Sequence, residues 1–182
     1  MDNLTNKYLH EGCVTERLKL RPLSINDTND MFEYTSDPIT CKFLKWGPHK
    51  EINETQLFIN RATCDYKNPK DILWGIEHDD TLIGVIRIYN IDMTNKECEI
   101  SYILNRKFEG KGYMTETVRK VIMFCFEELN LLRVKAIFDF ENTSSLKVME
   151  RCNMLQIDNS SKVIIIKNEN RLFKTCAIEK EV

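Results

Sequence analysis

Residues 99–116 have the sequence EISYILNRKFEGKGYMTE, and this stretch decides the fold class of the chain. It predicts a strand over residues 100–104, a short basic loop, the triplet Gly110-Lys111-Gly112, and then the first turn of a helix. The helix is indicated by apolar residues at steps of three and four, the spacing of one buried helical face. These residues are Val118, Val121, Ile122, Cys125, Phe126 and Leu129. The glycines therefore lie where a strand leads into a helix N-terminus.

This junction has the properties of an anion-binding site. A helix N-terminus leaves several backbone N–H groups without intrahelical partners, and its dipole favours negative charge. Glycine lets the backbone approach an anion closely, because it has no Cβ. Arg106, Lys107 and Lys111 add positive charge beside the glycines. The pattern predicts a cradle for a diphosphate, with a plain strand-to-helix turn as the alternative, since Gly-x-Gly alone is a weak signal.

The spacing excludes two common nucleotide-binding motifs. The Gly-x-x-x-x-Gly-Lys-Ser/Thr sequence of a nucleoside-triphosphate P-loop is absent from the chain. A dinucleotide-binding fingerprint needs a third glycine, which this loop lacks. The loop therefore matches neither of these two motifs.

The composition is typical of a globular protein. The 182 residues are 42% hydrophobic and 30% charged, which suffices for one domain with a sizeable core. A net charge of −2 argues against a nucleic-acid binder, which usually carries a basic excess. No apolar run is long enough for a signal peptide or a membrane span, so we expect a cytoplasmic protein without membrane contacts. Seven cysteines, none in a Cys-x-x-Cys pair, predict reduced thiols, and we expect no disulfide and no metal site.

Strand and helix patterns follow one another in a way that predicts a single α+β domain on a mixed sheet. The predicted strands cover residues 17–23, 72–77, 82–91, 97–104, 134–140, 163–167 and 171–179. The predicted helices follow Ser24 and Asp27, cover residues 54–66, follow Gly112, and follow Asn142. An irregular tract covers residues 36–50, and turns are predicted at residues 79–80 and 168–170.

Three stretches recur together in one known family: TERLKLRPL at residues 15–23, GKGYMTE at 110–116 and ENTSS at 141–145. In this order and spacing they resemble the GNAT N-acetyltransferase superfamily, and within it the RimJ/RimL-like branch. The first resembles the opening strand of that branch. The second resembles its acetyl-CoA loop, and the third resembles the segment that meets the pantetheine arm and the sulfur. The resemblance covers residues 15 to about 155.

The resemblance implies a fold and a reaction. The fold would be α+β, with a mixed, mostly antiparallel central sheet flanked by helices, in a single domain over residues 15–182 after a lead-in of residues 1–14. The reaction would move an acetyl group from acetyl-CoA, as co-substrate, to a primary amine by direct attack in a ternary complex. The branch implies the α-amine of a protein N-terminus, such as that of a ribosomal protein.

The resemblance also assigns residues to acetyl-CoA. Pantetheine would bind as a pseudo-strand, through backbone hydrogen bonds, at Tyr102, Ile103 and Leu104. Asn142 would hold the pantetheine amides. The pyrophosphate would lie on the N–H groups of the loop residues Glu109, Gly110, Lys111, Gly112, Tyr113 and Met114.

Two residues are the candidates for catalysis. The amine must lose a proton before it attacks, and Glu99 lies on the strand beside the expected reaction centre as the general base, ahead of Glu97. Ser145 matches the position where the branch has a hydroxyl that stabilises the departing thiolate. Each role has a structural alternative: Glu99 as a solvent-facing strand residue, and Ser145 and Asn142 as helix caps. Strand alternation places Cys98 on the opposite face, where packing is expected.

The acceptor site is expected in the variable parts of the chain, namely residues 43–49, the helix around Phe58 and the last hairpin. His49 is the histidine we would test for substrate contact. A small-molecule amine, such as a polyamine, an amino acid or an antibiotic, is the alternative acceptor, which Glu51 and Glu54 weakly favour.

Two positions depart from the family pattern. Glu109 brings an acid to the loop, and Met114 fills a place where the family usually has glycine or alanine, so that the first helical turn would pack less closely on the cofactor. These departures motivate a second alternative, a non-catalytic acyl-CoA-binding sensor. The oligomeric state, including a homodimer, stays open at this point.

Overall fold

The structure is a computed structural model that describes residues 11–64, 71–157 and 161–181. Its strands are β1 Cys13–Val14, β2 Lys19–Arg21, β3 Ile72–His78, β4 Thr81–Asp92, β5 Glu97–Leu104, β6 Arg133–Asp139, β7 Leu155–Gln156, β8 Lys162–Ile166 and β9 Glu169–Glu179. Its helices are α1 Thr28–Thr35, α2 Ile52–Cys64, α3 Tyr113–Glu127 and α4 Thr143–Arg151. Short 3₁₀ turns cover Ile25–Asp27 and Arg106–Phe108.

The described strands form one mixed sheet. Their order is β1-β2-β3-β4-β5-β6-β9-β7, with β8 also paired to β9. The β5–β6 pair is parallel, and the other described pairs are antiparallel. The predicted mixed, mostly antiparallel sheet is confirmed.

Helices cover both faces of the sheet. Helices α3 and α4 pack on one face, here called the α3/α4 face, in a core that contains Trp74 and Ile100. Helices α1 and α2 pack on the opposite α1/α2 face, around Tyr34 and Ile59. Because side chains alternate along a strand, Ile100 points to the first face and Ile103 to the second. Strand β5 therefore presents residues to both layers.

Helix α3 buries the face that its sequence predicts. Val118, Val121, Ile122 and Cys125 are all buried against the sheet. The helix ends at Glu127, so Leu129, which was predicted to lie on the same helical face, follows the last turn. Leu129 is buried there in irregular backbone. Burial of this stripe stabilises the helix more than its intrinsic propensity does.

The last hairpin turns earlier than its sequence indicates. Three polar residues predicted the turn at 168–170, but the turning residues are Lys167 and Asn168, with φ of 52° and 65°. A two-residue turn with positive φ at both positions matches the twist of the flanking strands, and this geometry decided the register. The predicted turn at Asp79 and Asp80 is confirmed, and its φ values of 48° and 59° are left-handed as well.

The segment before residue 15 contributes structure at its end. Strand β1 pairs with β2, Cys13 opposite Leu20, and a turn joins them in which the Thr15 N–H donates to the Leu18 carbonyl at 2.9 Å. This turn shortens the predicted strand 17–23 to Lys19–Arg21. Residues 1–10 and the last two residues of the predicted helix 54–66 lie outside the described residues.

Within the described ranges, no helix has both the length and the apolar character needed to cross a membrane.

Gly84 should be sensitive to any side chain. It lies in β4 opposite Leu104, and a Cβ there would stand 2.4 Å from the Ile103 carbonyl oxygen. We expect Gly84→Ala to lower the free energy of unfolding by about 1–3 kcal/mol in urea denaturation, because backbone must move to make room. Gly47→Ala, where a Cβ would meet no atom within 4 Å apart from the adjacent residues, is the matched control and should have little effect. Equal stability of the two variants would contradict the close approach of β4 and β5.

Candidate active site

The site is built around a gap between β5 and β6. The two strands pair in parallel from Glu97 with Arg133 to Ile100 with Ala136. Beyond this point β5 continues along β4 and β6 continues along β9. In the described structure, residues 101–104 and 137–139 therefore border a gap with no ladder across it. Open strand edges of this kind can bind an extended, amide-bearing chain through backbone hydrogen bonds.

Strand alternation divides the three β5 residues predicted to bind pantetheine. The Asn105 N–H donates to the Ile83 carbonyl on β4 at 2.7 Å. Because successive backbone groups of a strand point to opposite edges, Ile103 directs its N–H and C=O to β4, whereas Tyr102 and Leu104 direct theirs to the gap. The backbone of Ile103 was expected to bind pantetheine, but its N–H and C=O face β4 and are not available to a ligand in the gap.

A 3₁₀ turn shapes the loop that follows β5. The Asn105 side chain accepts the Lys107 N–H at 3.0 Å, and the Glu109 N–H donates to the Arg106 carbonyl at 3.1 Å. The run of free amides predicted to begin at Glu109 therefore begins one residue later, at Gly110, because the earlier N–H is already used.

Gly110 and Gly112 have backbone conformations that favour glycine. Their φ angles are 76° and 82°, and Gly112 is the N-cap of α3. The Glu116 N–H donates to the Gly112 carbonyl at 3.0 Å and closes the first helical turn. The amides that precede it in this turn are the unpaired donors of a helix N-terminus. Lys111 is exposed between the glycines, with its Nζ 5.2 Å from the Phe108 ring centroid.

The side chains of Tyr113 and Met114 point into the protein. Met114 is 5% exposed and packs in the core on the α3/α4 face. The Tyr113 hydroxyl lies 2.8 Å from His78 Nε2. The expectation that Met114 would hold a cofactor away from the first helical turn is wrong, because the helix directs this side chain inward. Both residues offer the loop their backbone N–H groups.

The N-terminal segment is anchored to the first turn of α3. The Glu116 carboxylate accepts hydrogen bonds from the Arg17 N–H at 2.9 Å, from Arg17 Nε at 2.7 Å and from the Thr15 hydroxyl. Partial burial raises the pKa of Glu116, but the hydrogen bonds from Thr15 and Arg17 outweigh it and hold this pKa below the usual value. Its partners Thr15 and Arg17 lie about a hundred residues earlier in the chain, so the local sequence did not indicate them.

Helix α4 begins just after β6, across the gap from β5. Asn142 is its N-cap, and Oδ1 accepts the Ser145 N–H at 3.1 Å. The Tyr102 hydroxyl donates to the Ser145 carbonyl at 3.2 Å. Burial raises the pKa of Tyr102, so its phenol stays protonated and acts as a donor. The structure thus brings Tyr102, Asn142 and Ser145 together, and the capping role of Asn142 is confirmed.

Glu99 lies on the opposite face of the sheet from Ser145. It is half-buried between Tyr89 on β4 and Lys135 on β6 in the strand register. Its carboxylate accepts a hydrogen bond from Asn90 Nδ2 at 3.3 Å. Burial, together with the charge of Glu99 and a hydrogen bond to it, raises the pKa of Tyr89. The two catalytic candidates are therefore on different faces and can act on one substrate only through the gap.

The neighbours of Glu99 have structural partners. Glu97 forms an ion pair with Lys135, at 2.7 Å from Nζ to Oε1. Cys98 is fully buried on the α3/α4 face, with its sulfur 3.7 Å from that of Cys125, so the predicted packing role is confirmed. Across the three described ranges, no three His, Cys, Asp or Glu side chains are placed to hold a metal ion.

A small pocket lies on the α1/α2 face beside β5. Its lining is uncharged and rich in aromatic rings. The lining residues are Met31, Tyr34, Thr35, Trp46, His49, Phe58, Val85 and Ile103.

Two of the polar residues that line this pocket have shifted pKa values. Burial lowers the pKa of His49, against a smaller opposing effect of Glu54, and its Nδ1 lies 2.7 Å from the Thr55 hydroxyl. The Tyr34 hydroxyl is buried without a hydrogen-bond partner among the described residues. Burial, together with the nearby charges of Asp27 and Asp30, also raises the pKa of Tyr34, so its phenol stays protonated.

The expected acceptor region and this pocket overlap in part. Trp46 stacks on His49 with ring centroids 5.0 Å apart, and Phe58 follows at 6.4 Å. These three residues lie in the stretches that the sequence indicated. Met31 and Tyr34 were missed, because apolar periodicity in α1 indicates a buried face without distinguishing a pocket wall from core packing.

The last hairpin reaches the loop between α1 and α2. The Arg171 guanidinium lies 5.3 Å from the Phe43 ring centroid, and its Nη1 donates to the Lys42 carbonyl at 3.3 Å. The same side chain pairs with Asp139 at the end of β6, at 2.7 Å. Phe43 therefore packs against the hairpin and is absent from the pocket lining.

Comparison with known proteins identifies the family. The family model described as an acetyltransferase (GNAT) domain matches residues 17–155. The uncharacterised N-acetyltransferase p20 of Bacillus licheniformis is 32% identical over 143 residues, which cover 76% of this chain and 79% of that protein. YdaF of Bacillus subtilis, provisionally named a ribosomal N-acetyltransferase, is 38% identical over 91 residues, or 50% of each chain. The spermidine N(1)-acetyltransferase of Escherichia coli K12 is 20% identical over 134 residues, 74% of this chain and 70% of that protein.

Solved structures share the fold. A GNAT-family acetyltransferase from Bacillus anthracis superposes with a TM-score of 0.80 at 27% identity, over 92% of this chain and 98% of that one. The RimL acetyltransferase of ribosomal L7/L12, solved with coenzyme A, has a TM-score of 0.79 at 17% identity, over 92% and 96% of the two chains. The chain belongs to the GNAT acetyltransferase family. It is an acetyl-CoA-dependent N-acetyltransferase.

Glu116→Gln should destabilise the fold in a pH-dependent way. The pKa of Glu116 is lowered in the folded state, so its contribution is complete above the unfolded pKa of about 4.3 and is lost as pH falls through the folded pKa. We expect the variant to lose about 1 kcal/mol of unfolding free energy at pH 7 and progressively less toward pH 3, measured by urea denaturation. Glu169→Gln, at an exposed position, is the control. A loss that is the same at every pH would contradict the anchoring role.

Proposed function

We propose that this acetyltransferase acts on the α-amine of a peptide or protein N-terminus. The observation that carries this proposal is the uncharged, aromatic pocket on the α1/α2 face. A polyamine brings several ammonium groups that need carboxylate partners when they are desolvated, and none of the eight pocket residues is acidic. An N-terminal peptide brings one ammonium at the reacting atom and side chains that an uncharged pocket can accept.

Acetyl-CoA is proposed to enter through the gap between β5 and β6. Its pantetheine arm would pair with the backbone groups of Tyr102 and Leu104, which face the gap. Its diphosphate would lie on the amides of residues 110–114, where glycine conformations and an open helix N-terminus leave donors unpaired. Asn142 uses Oδ1 in its cap, so its Nδ2 is the group left to donate to a pantetheine carbonyl.

The amine is proposed to approach from the α1/α2 face. Glu99 lies on that face, and in the proposed mechanism it takes the ammonium proton directly or through one water. The nitrogen then attacks the acetyl carbonyl carbon, the C–N bond forms and the C–S bond breaks, and the second proton that the nitrogen loses passes to the departing thiolate. Ser145, on the α3/α4 face beside the Tyr102 hydroxyl, would donate to the departing thiolate. The base and the thiolate donor thus act from opposite sides of one gap.

Glu99→Gln tests the proposed base. We expect kcat to fall by about 10²–10³-fold, because the amide cannot accept the proton. Acetyl-CoA affinity, measured by calorimetric titration, should be unchanged, since Glu99 lies apart from the diphosphate loop. Glu97→Gln is the matched control: the same change on the same strand face, at a carboxylate already paired with Lys135, should leave kcat near wild type. Equal activity of the two variants would remove Glu99 as the base.

An acceptor panel tests the proposed substrate class. We expect higher kcat/KM for short peptides with a free α-amine than for spermidine, amino acids or aminoglycosides. Trp46→Ala, which removes a partly exposed pocket wall, should raise the KM for peptides by about tenfold without changing acetyl-CoA affinity. Preference for spermidine would support the small-molecule alternative. Saturable acetyl-CoA binding without turnover of any of these amines would exclude the acceptor classes tested.

A further inference from the structure

The Arg17 side chain binds the backbone of the proposed diphosphate loop. It lies in the turn between β1 and β2, far in sequence from the loop it contacts. Its Nη1 donates to the Lys111 carbonyl at 3.0 Å, and its Nε and Nη2 pair with the Glu116 carboxylate at 2.7 and 2.6 Å. Its guanidinium carbon lies 4.7 Å from the Tyr113 ring centroid. One planar group is thus fixed by an acid, a carbonyl and a ring.

The Lys111 carbonyl determines where the next amide points. A trans peptide is planar, and its C=O and N–H point in opposite directions. When Arg17 holds the Lys111 carbonyl, the Gly112 N–H is directed away from Arg17 and out of the loop. Gly112 has φ of 82°, a conformation that its lack of Cβ makes accessible and does not by itself fix. The hydrogen bond from the Arg17 guanidinium to the Lys111 carbonyl fixes the orientation of the Lys111–Gly112 peptide.

The effect of Arg17 rests on geometry more than on charge. Its positive charge is paired with Glu116, so the pair adds little net charge to the loop. A lysine would keep the charge but has one ammonium, which cannot reproduce the planar fork that reaches the acid and the carbonyl together. Lys111, by contrast, is exposed and offers a mobile point charge.

We propose that Arg17 is a positioning residue for the diphosphate of acetyl-CoA, acting through the Lys111–Gly112 peptide. The proposal rests on the proposed cofactor site. It assigns a functional role to the N-terminal segment, which otherwise only closes the edge of the sheet. Arg17 and the helix N-terminus then form one preorganised unit, in which the loop amides need little reordering when the anion binds.

The test is calorimetric titration with free coenzyme A. Arg17→Gln and Arg17→Lys should both raise the dissociation constant by about tenfold, as expected for the loss of one well-aligned hydrogen bond to a charged group. With S-acetylpantetheine, a donor that lacks the diphosphate, kcat/KM for a peptide acceptor should match wild type in both variants. If Arg17 had only a structural role, its substitution would impair the reaction with S-acetylpantetheine as well as the binding of coenzyme A.

Thr15→Val is the matched control. It removes the hydroxyl that donates to Glu116 and accepts the Leu18 N–H in the same turn, but leaves the Arg17 contact with Lys111 in place. It should lower the melting temperature and keep coenzyme A affinity near wild type. Wild-type affinity in Arg17→Lys, equal losses with both donors, or an equal loss in Thr15→Val would each overturn the proposal. Failure of the wild-type protein to bind coenzyme A would overturn the cofactor site and this proposal together.

Discussion

The separation of β5 from β6 is the constraint on which the proposed site depends. Parallel pairing stops at Ile100 and Ala136, although both strands continue. Each strand keeps its outer partner: β5 stays on β4 as far as Gly84, where the absence of a side chain permits close approach, and β6 stays on β9 as far as Asp139. Because the outer ladders are complete, the inner edges remain open without loss of the sheet, and an amide-bearing ligand finds unpaired backbone groups there.

The gap also connects two chemically different faces. On the α3/α4 face, Tyr102 and the start of α4 place a neutral phenol and the Ser145 region beside the gap. On the α1/α2 face lie the Glu99 carboxylate and an uncharged pocket. In the proposed mechanism, the sheet keeps the donor and acceptor substrates apart until they meet in the gap. The proposed mechanism assigns base and thiolate donor to opposite layers for this reason.

The glycine loop depends on contacts at both of its ends. On one side, Asn105 caps the 3₁₀ turn and the Glu109 N–H is used within it, which limits the open amides to the residues from Gly110 onward. On the other side, Glu116 closes the first helical turn and binds Arg17. Helix geometry supplies the unpaired donors, whereas the neighbouring segment supplies their orientation. For this reason Arg17 can orient the amides of a loop that lies 94 residues later in the chain.

The sequence by itself determined those features that depend on near neighbours. Apolar periodicity placed α3, alternation sent Cys98 to the core, and Asn142 was predicted as the cap it forms, because each follows from interactions within a few residues. The tertiary structure decided the rest. The Tyr102–Ser145 and Arg17–Lys111 contacts join residues 43 and 94 positions apart, and the inward turn of Met114 depends on a core built by other elements. Patterns of local spacing carry no information about such distances, since only the packed sheet brings these groups together.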